Sequence, residues 1–383
     1  MVDETVLIAF IGGLILFGYL GYFLSQKMKI SHITILILIG STLGLILKAT
    51  NRYPTLDTTL LFGISFLYIS MLTFDSASKP SIKHVDTTHT HSLKLFILNT
   101  LMHFFLITYI LVLTLKLQIF EASIFSIILT STTSTFFTDK KDKISEILKN
   151  EKIIGLPILL MIAYAMYDNY AINYGFSNIF GNSIKPYILE FIGGIGVGVV
   201  ISIIFFRTIR GFHKNKAPPI ATFIVAFVTY LLTEIIGCDG LIGLGTFALI
   251  YGNLHLEGKE KTLKFFEESL FPIELIIILL SAILISDKLE LHLAIYAFIL
   301  FLIIVGLRYI AVKLTFNEHQ HTHKENMYLT LNYQIGSPLM IILLLIMITN
   351  MQTLIMPSVI TLLIIFYSSI SSTIITNFFN TKN

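Results

Sequence analysis

Residues 157–172 read PILLMIAYAMYDNYAI. The run is apolar nearly throughout and holds one carboxylate, Asp168, with Asn169 beside it. Apolar runs of this kind recur from one end of the 383-residue chain to the other, and only 13% of the residues are charged. A hydrocarbon core about 30 Å thick takes about 20 residues of helix, and backbone groups in lipid must be satisfied within the segment. The composition therefore predicts an all-α polytopic membrane protein and excludes a string of soluble domains. A charge inside the bilayer costs about 2.5–3.5 kcal/mol, so Asp168 is expected to face a partner, an ion or a water-filled cavity. The alternative is an acid that reaches the outer surface or caps the next segment.

Working outward from that run, thirteen spans are predicted, starting near Val6, Ile33, Leu60, Leu95, Phe120, Ile153, Ile188, Ile220, Leu241, Leu270, Leu293, Met327 and Leu354. The basic residues orient them. With the N-terminus outside and the C-terminus inside, twenty of the 26 Lys and Arg fall in inner loops, five in outer loops, and Arg308 lies within a span. The densest inner loop holds Lys140, Lys141, Lys143, Lys149 and Lys152. The chain is read as one transmembrane domain in a cell membrane. Repeat one covers about 5–175, a linker helix about 187–207, and repeat two about 218–377. MVDET carries no basic n-region, so the first helix is expected to stay. No soluble regulatory domain is expected after the last span. The net charge of +3 gives no reason to expect nucleic acid, and the single Cys238 excludes an internal disulfide.

The fifth and twelfth spans correspond in the two repeats, and both are interrupted. The fifth holds Ser131-Thr132-Thr133-Ser134-Thr135; the twelfth holds Asn332-Tyr333-Gln334-Ile335-Gly336-Ser337-Pro338. Matched interruptions in two halves point to a transporter site near the midplane. Alternatively, the hydroxyls hydrogen-bond back to their own helices. Glycines in the first span (Gly12, Gly13, Gly18, Gly21) and the seventh (Gly193, Gly194, Gly196, Gly198) suit close helix packing, within the chain or between copies.

Several segments together resemble the monovalent cation:proton antiporters of the sodium/proton exchanger superfamily, over about residues 10–370. They are FLYISMLTFDSA in the third span, AFVTYLLTEIIGCDGLIGLGTFALIYGN in the eighth and ninth, and FFEESLFPIELIIILLSAIL in the tenth. Tyr167-Asp168 falls where that family has Asn-Asp or Asp-Asp. The resemblance implies two inverted six-helix repeats with crossed, discontinuous helices, a homodimer, and exchange of sodium, lithium or potassium for protons at Asp168. The chain departs from the family pattern at Tyr167, and at Ala163, where many members carry an acid five positions before the aspartate.

On this reading the cation's oxygen shell comes from Asp168, Asn169, Thr132, Thr133 and Ser134, as suits a hard cation. Gly336, Ser337 and Pro338 break the second helix, Asp139 lies at the inner mouth, and Arg308 pairs with Glu274 or Glu234. No cofactor and no resident metal are expected. Two histidine groups, His84, His89 and His91, then His319, His321 and His323, mark inner loops that are hydrophilic or regulatory. A potassium efflux channel and a non-transporting sensor are the competing functions. The spans show no Ser/Lys pair, paired Asp or His-Glu zinc motif that an intramembrane enzyme would use.

Overall fold

The computed structural model describes residues 4–50, 58–80, 87–131, 143–173, 184–212, 218–254, 256–316, 323–332, 340–349 and 352–380. Among these are fourteen α-helices. They are α1 (Glu4–Met28), α2 (His32–Ala49), α3 (Thr58–Ser78), α4 (Thr87–Leu115), α5 (Ile119–Thr130), α6 (Lys143–Asn173) and α7 (Ile184–Phe212). They continue as α8 (Pro219–Ile235), α9 (Gly240–Asn253), α10 (Lys259–Ile285), α11 (Leu291–Thr315), α12 (His323–Leu331), α13 (Met340–Ile348) and α14 (Gln352–Asn380). Seven are long and apolar enough to cross a membrane, and α5, α8 and α9 are shorter apolar helices. The chain is an integral membrane protein.

Both interruptions read from the sequence coincide with helix ends. α5 stops at Thr130, and Ser131 follows it in extended backbone (ψ 135°). α12 stops at Leu331 and α13 starts at Met340. One boundary needs correction. The sixth span was expected to start near Ile153, yet α6 begins ten residues earlier at Lys143, so Lys143, Lys149 and Lys152 are helical rather than loop residues.

The helices group into two compact units, each discontinuous in sequence. The first unit takes Met1–Ser65, Asp86–Gly155 and Pro272–Asn383; the second takes Phe66–Val85 and Leu156–Phe271. In the first, α2 lies against the end of α10. A Cβ on Gly40 would sit 2.6 Å from the Ala282 Cβ and 2.9 Å from the Leu279 carbonyl oxygen. The start of α6 is seated on α4, where Gly155 meets the Phe96 ring and Ser92 Oγ donates to Ile147 O at 3.0 Å. Leu95, Ile147, Leu148, Ala311, Val312, Phe316, Tyr328 and Leu329 close that core.

In the second unit α7 packs on α9 through glycines. A Cβ on Gly193 would run into Cys238, and one on Gly198 into the Gly243 backbone and Thr246, of the facing segment. Phe74 stacks on Phe266, with ring centres 4.1 Å apart, and lies against Phe247 and Tyr251. Within the chain, then, Gly18, Gly21, Gly193, Gly194 and Gly198 serve packing, whereas a Cβ on Gly12, Gly13 or Gly196 would meet nothing within 4 Å.

Among the described glycines, the tightest approach to backbone atoms gives a direct test. A Cβ on Gly252 would overlap the Ser78 carbonyl oxygen and sit 2.7 Å from its carbon. These are backbone atoms and cannot swing aside. Gly252→Ala should therefore force α3 and α9 apart and cost about 1–3 kcal/mol. The measurement is the temperature at which purified protein in detergent loses monodispersity. An unchanged midpoint would mean that α3 gives way freely.

Candidate cation-binding site

The second unit brings Asp168 to a group of acids that the sequence scatters. Asp168 sits on α6, five residues from its C-terminal end, with its side chain half-buried. Its charge bears on Glu190 near the start of α7, on Glu234 at the end of α8, and on Asp239 in the turn before α9. Asp168 is the one acid that all three of the others feel. Among the described residues, no Lys, Arg or His contributes to the electrostatics of this group.

Local structure explains how the members are held. Asp239 is the N-cap of α9 and accepts from Leu241 N at 2.9 Å and Ile242 N at 3.0 Å, the usual role of Asp at a helix start. Burial nevertheless pushes its carboxyl up to about 6; the bond from Ile242 N opposes the rise and the charge of Glu234 adds to it. Glu234 Oε1 accepts from Gly240 N at 3.0 Å across the same turn. The buried Tyr164 and Tyr230 side chains neighbour one another, and Tyr230 also neighbours Glu234. Phe66 rests against both tyrosine rings. The result is a partly exposed cluster of carboxylates and hydroxyls, all oxygen. Such donors suit a hard cation or a shared proton and offer nothing to a soft metal.

The first unit holds a different charged centre. Arg308 on α11, fully buried, makes two parallel bonds to Glu151 on α6, 2.5 and 2.6 Å long. This fork geometry is the strongest form of the arginine–carboxylate contact. Arg308 Nε also reaches the Leu329 carbonyl at 3.5 Å. The expected partner is corrected here: Glu151 holds Arg308, in place of Glu274 or Glu234. Glu274 instead bears electrostatically on His32 at the start of α2, and Glu234 belongs to the acidic group already described. Between Glu151 and Asp168, seventeen residues further along α6, there is no acid.

The remaining expected site residues fall outside the described residues: Thr132, Thr133, Ser134, Asp139, Gly336, Ser337 and Pro338. Asn169 lies in α6, but its side chain is likewise not described. Ser131 is described, and its hydroxyl bonds back to Ile128 O at 2.9 Å. Glu151, Glu190, Asp239, Tyr164 and Tyr230 were not singled out from the sequence. Asp239 could have been, because Asp before Gly-Leu-Ile is a helix-start signal.

No curated protein matches the chain in sequence. Among solved structures, the sodium proton antiporter MjNhaP1 from Methanocaldococcus jannaschii at pH 8 is similar, with a TM-score of 0.72 and 16% identity. That match covers 99% of this chain and 98% of that one. An electron-microscopy structure of the same antiporter matches with a TM-score of 0.65 and 17% identity, over 99% and 97% of the two chains. These likenesses establish the fold. The family model for the transmembrane sodium/hydrogen exchanger matches residues 12–381. The chain therefore belongs to the sodium/hydrogen exchanger family, whose members are secondary transporters and not enzymes.

Proposed function

We propose that the chain exchanges a monovalent cation for protons by alternating access, with Asp168 as the carboxylate for which the two compete. Sodium is the leading cation; lithium and potassium are the others to test. The observation that carries this reading is the position of Asp168 among Glu190, Glu234 and Asp239 with no basic side chain contributing. Partly exposed carboxylates within electrostatic reach of one another resist full ionisation, which favours a proton or a cation at the group. Competition then gives antiport. A site loaded with cation or proton carries compensated charge and can be exposed to either face. The empty, charged site crosses poorly. Family membership and the sodium proton antiporter activity named for the MjNhaP1 structures support the same reading.

A second reading is a member of the same fold that does not transport. It is favoured by Glu151. If Glu151, rather than Ala163, stands at the place of the earlier acid in the resemblance, then five residues on comes Leu156, which cannot bind a cation. On that count the middle of α6 is inert and Asp168 lies beyond it.

The two readings separate in sealed vesicles loaded with a pH-sensitive dye. Sodium, lithium and potassium salts are added in turn after an inward-acid gradient is set. Antiport gives cation-dependent dequenching that saturates with concentration and reverses with the gradient. No response to any of the three cations, from correctly inserted protein, would leave the non-transporting reading standing.

A further inference from the structure

Hydroxyls on a buried helix commonly bond back to a carbonyl one turn earlier, which satisfies them without a partner elsewhere. In the second unit Ser202, Thr229, Thr233 and Thr246 do so, each donating to the carbonyl four residues before it at 2.7–2.8 Å. Ser70 and Thr73 of α3 do not. Ser70 is 5% exposed and Thr73 0%, yet neither hydroxyl has a hydrogen-bond partner among the described residues. A buried hydroxyl left unpaired gives up its water and gains no bond in return. Alanine or valine in these places would fold at a smaller penalty. Stability therefore does not explain two such groups side by side.

Their position does. Phe66, Ser70 and Thr73 follow one another at spacings of four and three residues, so they share one face of α3. Phe66 lies against Tyr164 and Tyr230, the two tyrosines of the acidic group. Two turns further on, Thr73 meets α9 where α6 also meets it. A Cβ on Gly245 would sit 3.7 Å from Thr73 Cγ2 and 2.8 Å from Met161 Sδ. Met161, Tyr164 and Asp168 share a face of α6 in turn, at spacings of three and four. The two faces run antiparallel, with Phe66 against Tyr164 at one end and Thr73 and Met161 against Gly245 at the other. Ser70 falls between these contacts. The unpaired hydroxyls thus begin one turn from the contact with the acidic group and lead away from it, towards the end of α3. Ser76, buried a turn beyond Thr73, adds a third hydroxyl; its Oγ donates to Thr73 O at 3.2 Å. All of these residues belong to the second unit.

From this we infer that Ser70 and Thr73 line the passage by which the cation reaches Asp168 from the face at which α3 ends, the inner face as the spans are oriented above. A hydroxyl offers a cation a neutral oxygen ligand, and it can also bond to the waters that travel with the ion. Unpaired hydroxyls do this without first breaking a bond within the protein. Methyl groups in their place would make the ion shed water with nothing in exchange. The inference rests on the exchange proposed above, with Asp168 at its centre.

The test uses sealed vesicles of known orientation, with sodium supplied at the face where α3 ends. The proteins compared are wild type, Ser70→Ala, Thr73→Val, Thr73→Ser and Ser202→Ala. Loss of one neutral hydrogen bond corresponds to about a fivefold change, so Ser70→Ala and Thr73→Val should each lower the initial rate at subsaturating sodium about fivefold per folded molecule. Thr73→Ser keeps the hydroxyl and should return the rate towards wild type. Ser202→Ala removes a hydroxyl already satisfied by Gly198 O in its own helix, and its rate should not move. A merely structural role for Ser70 and Thr73 would leave the rates of Ser70→Ala and Thr73→Val unchanged, and that result overturns the inference.

A second measurement reads the passage without using exchange. Cys238 is the only cysteine, so Cys238→Ser gives a background without thiols. In that background Thr73→Cys should react with a membrane-impermeant, positively charged thiosulfonate added at the face where α3 ends, because thiolate forms only where water reaches. Leu244→Cys, at a fully buried apolar position of α9, should not react. Failure of Thr73→Cys to react from that face, reaction from the opposite face alone, or equal reaction of Leu244→Cys each overturns the inference. Absence of exchange in wild type fells this inference and the reading beneath it; wild-type exchange with Ser70→Ala and Thr73→Val unmoved fells this one alone.

Discussion

Asp168→Asn is expected to reduce cation-dependent proton flux to the background of empty vesicles, while the protein still inserts and elutes as wild type from a sizing column. Asn keeps the shape of Asp and removes its charge and its proton. A cation that loses a carboxylate ligand loses one of its charge-assisted contacts, which are stronger than neutral ones by roughly a factor of two. That alone weakens binding. The larger effect lies in coupling, because a side chain that cannot titrate cannot give up a proton when the cation arrives. The loss of flux is therefore complete rather than partial. Glu234→Gln and Asp239→Asn make useful companions. Each removes a neighbour whose charge Asp168 shares, and each should shift the pH at which exchange is half-maximal without abolishing it. For Asp239 the direction follows from its raised carboxyl, at about 6. In wild type this acid gains charge as the pH rises through that value and thereby strengthens cation binding. In Asp239→Asn this added gain should be missing above about pH 6 and the difference small below it. Wild-type flux in Asp168→Asn would remove the assignment outright and place the exchange at another residue.

The membrane class and the places of the interruptions were legible because both are local. Apolar runs of helical length, broken by hydroxyls or by Gly-Ser-Pro, state where α5 and α12 end. The acidic group was legible only in part. Asp168 stands out as a lone acid in its run, but Glu190, Glu234 and Asp239 come from three other segments, and nothing local says that four chain positions converge. Arg308 shows the limit most plainly. A buried arginine requires an acid, and the sequence states that need. It hides Glu151, which lies in Lys-Asn-Glu-Lys, a charge run that imitates a loop. The helical period tells otherwise. Ile147 and Leu148 are both buried, and Glu151 follows them at four and three residues, on the same face of α6. A charge on the buried face of a helix is a stronger signal than the charges around it, and here it points to a partner within the protein.

That partnership carries the second large effect. Glu151 and Arg308 are both almost completely withdrawn from water, with side-chain exposures of 1% and 0%. Desolvation makes such a pair a modest net stabiliser, but removing one member strands the other, at a cost of about 3–5 kcal/mol. Arg308→Ala and Glu151→Ala should each lower the temperature at which the protein in detergent loses monodispersity, by roughly 4–6 °C on the usual scaling. The chain contains no Trp, so a sizing-column readout suits it better than intrinsic fluorescence. The double variant should be no less stable than the worse single one, since it strands neither charge. Arg308→Lys should fall between, because an ammonium cannot reproduce the two parallel bonds of the guanidinium. The same cycle with Glu274 in place of Glu151 should be additive, as expected for residues that do not share the contact. Additive losses in the Glu151 cycle would contradict the pairing. Non-additivity there, with exchange retained in Arg308→Lys, would separate the charge that holds the first unit together from the charge that exchanges at Asp168. The first is neutralised once, on folding, by a fixed partner; the second, on the exchange proposed above, is neutralised anew in every cycle, by a cation or a proton from solution.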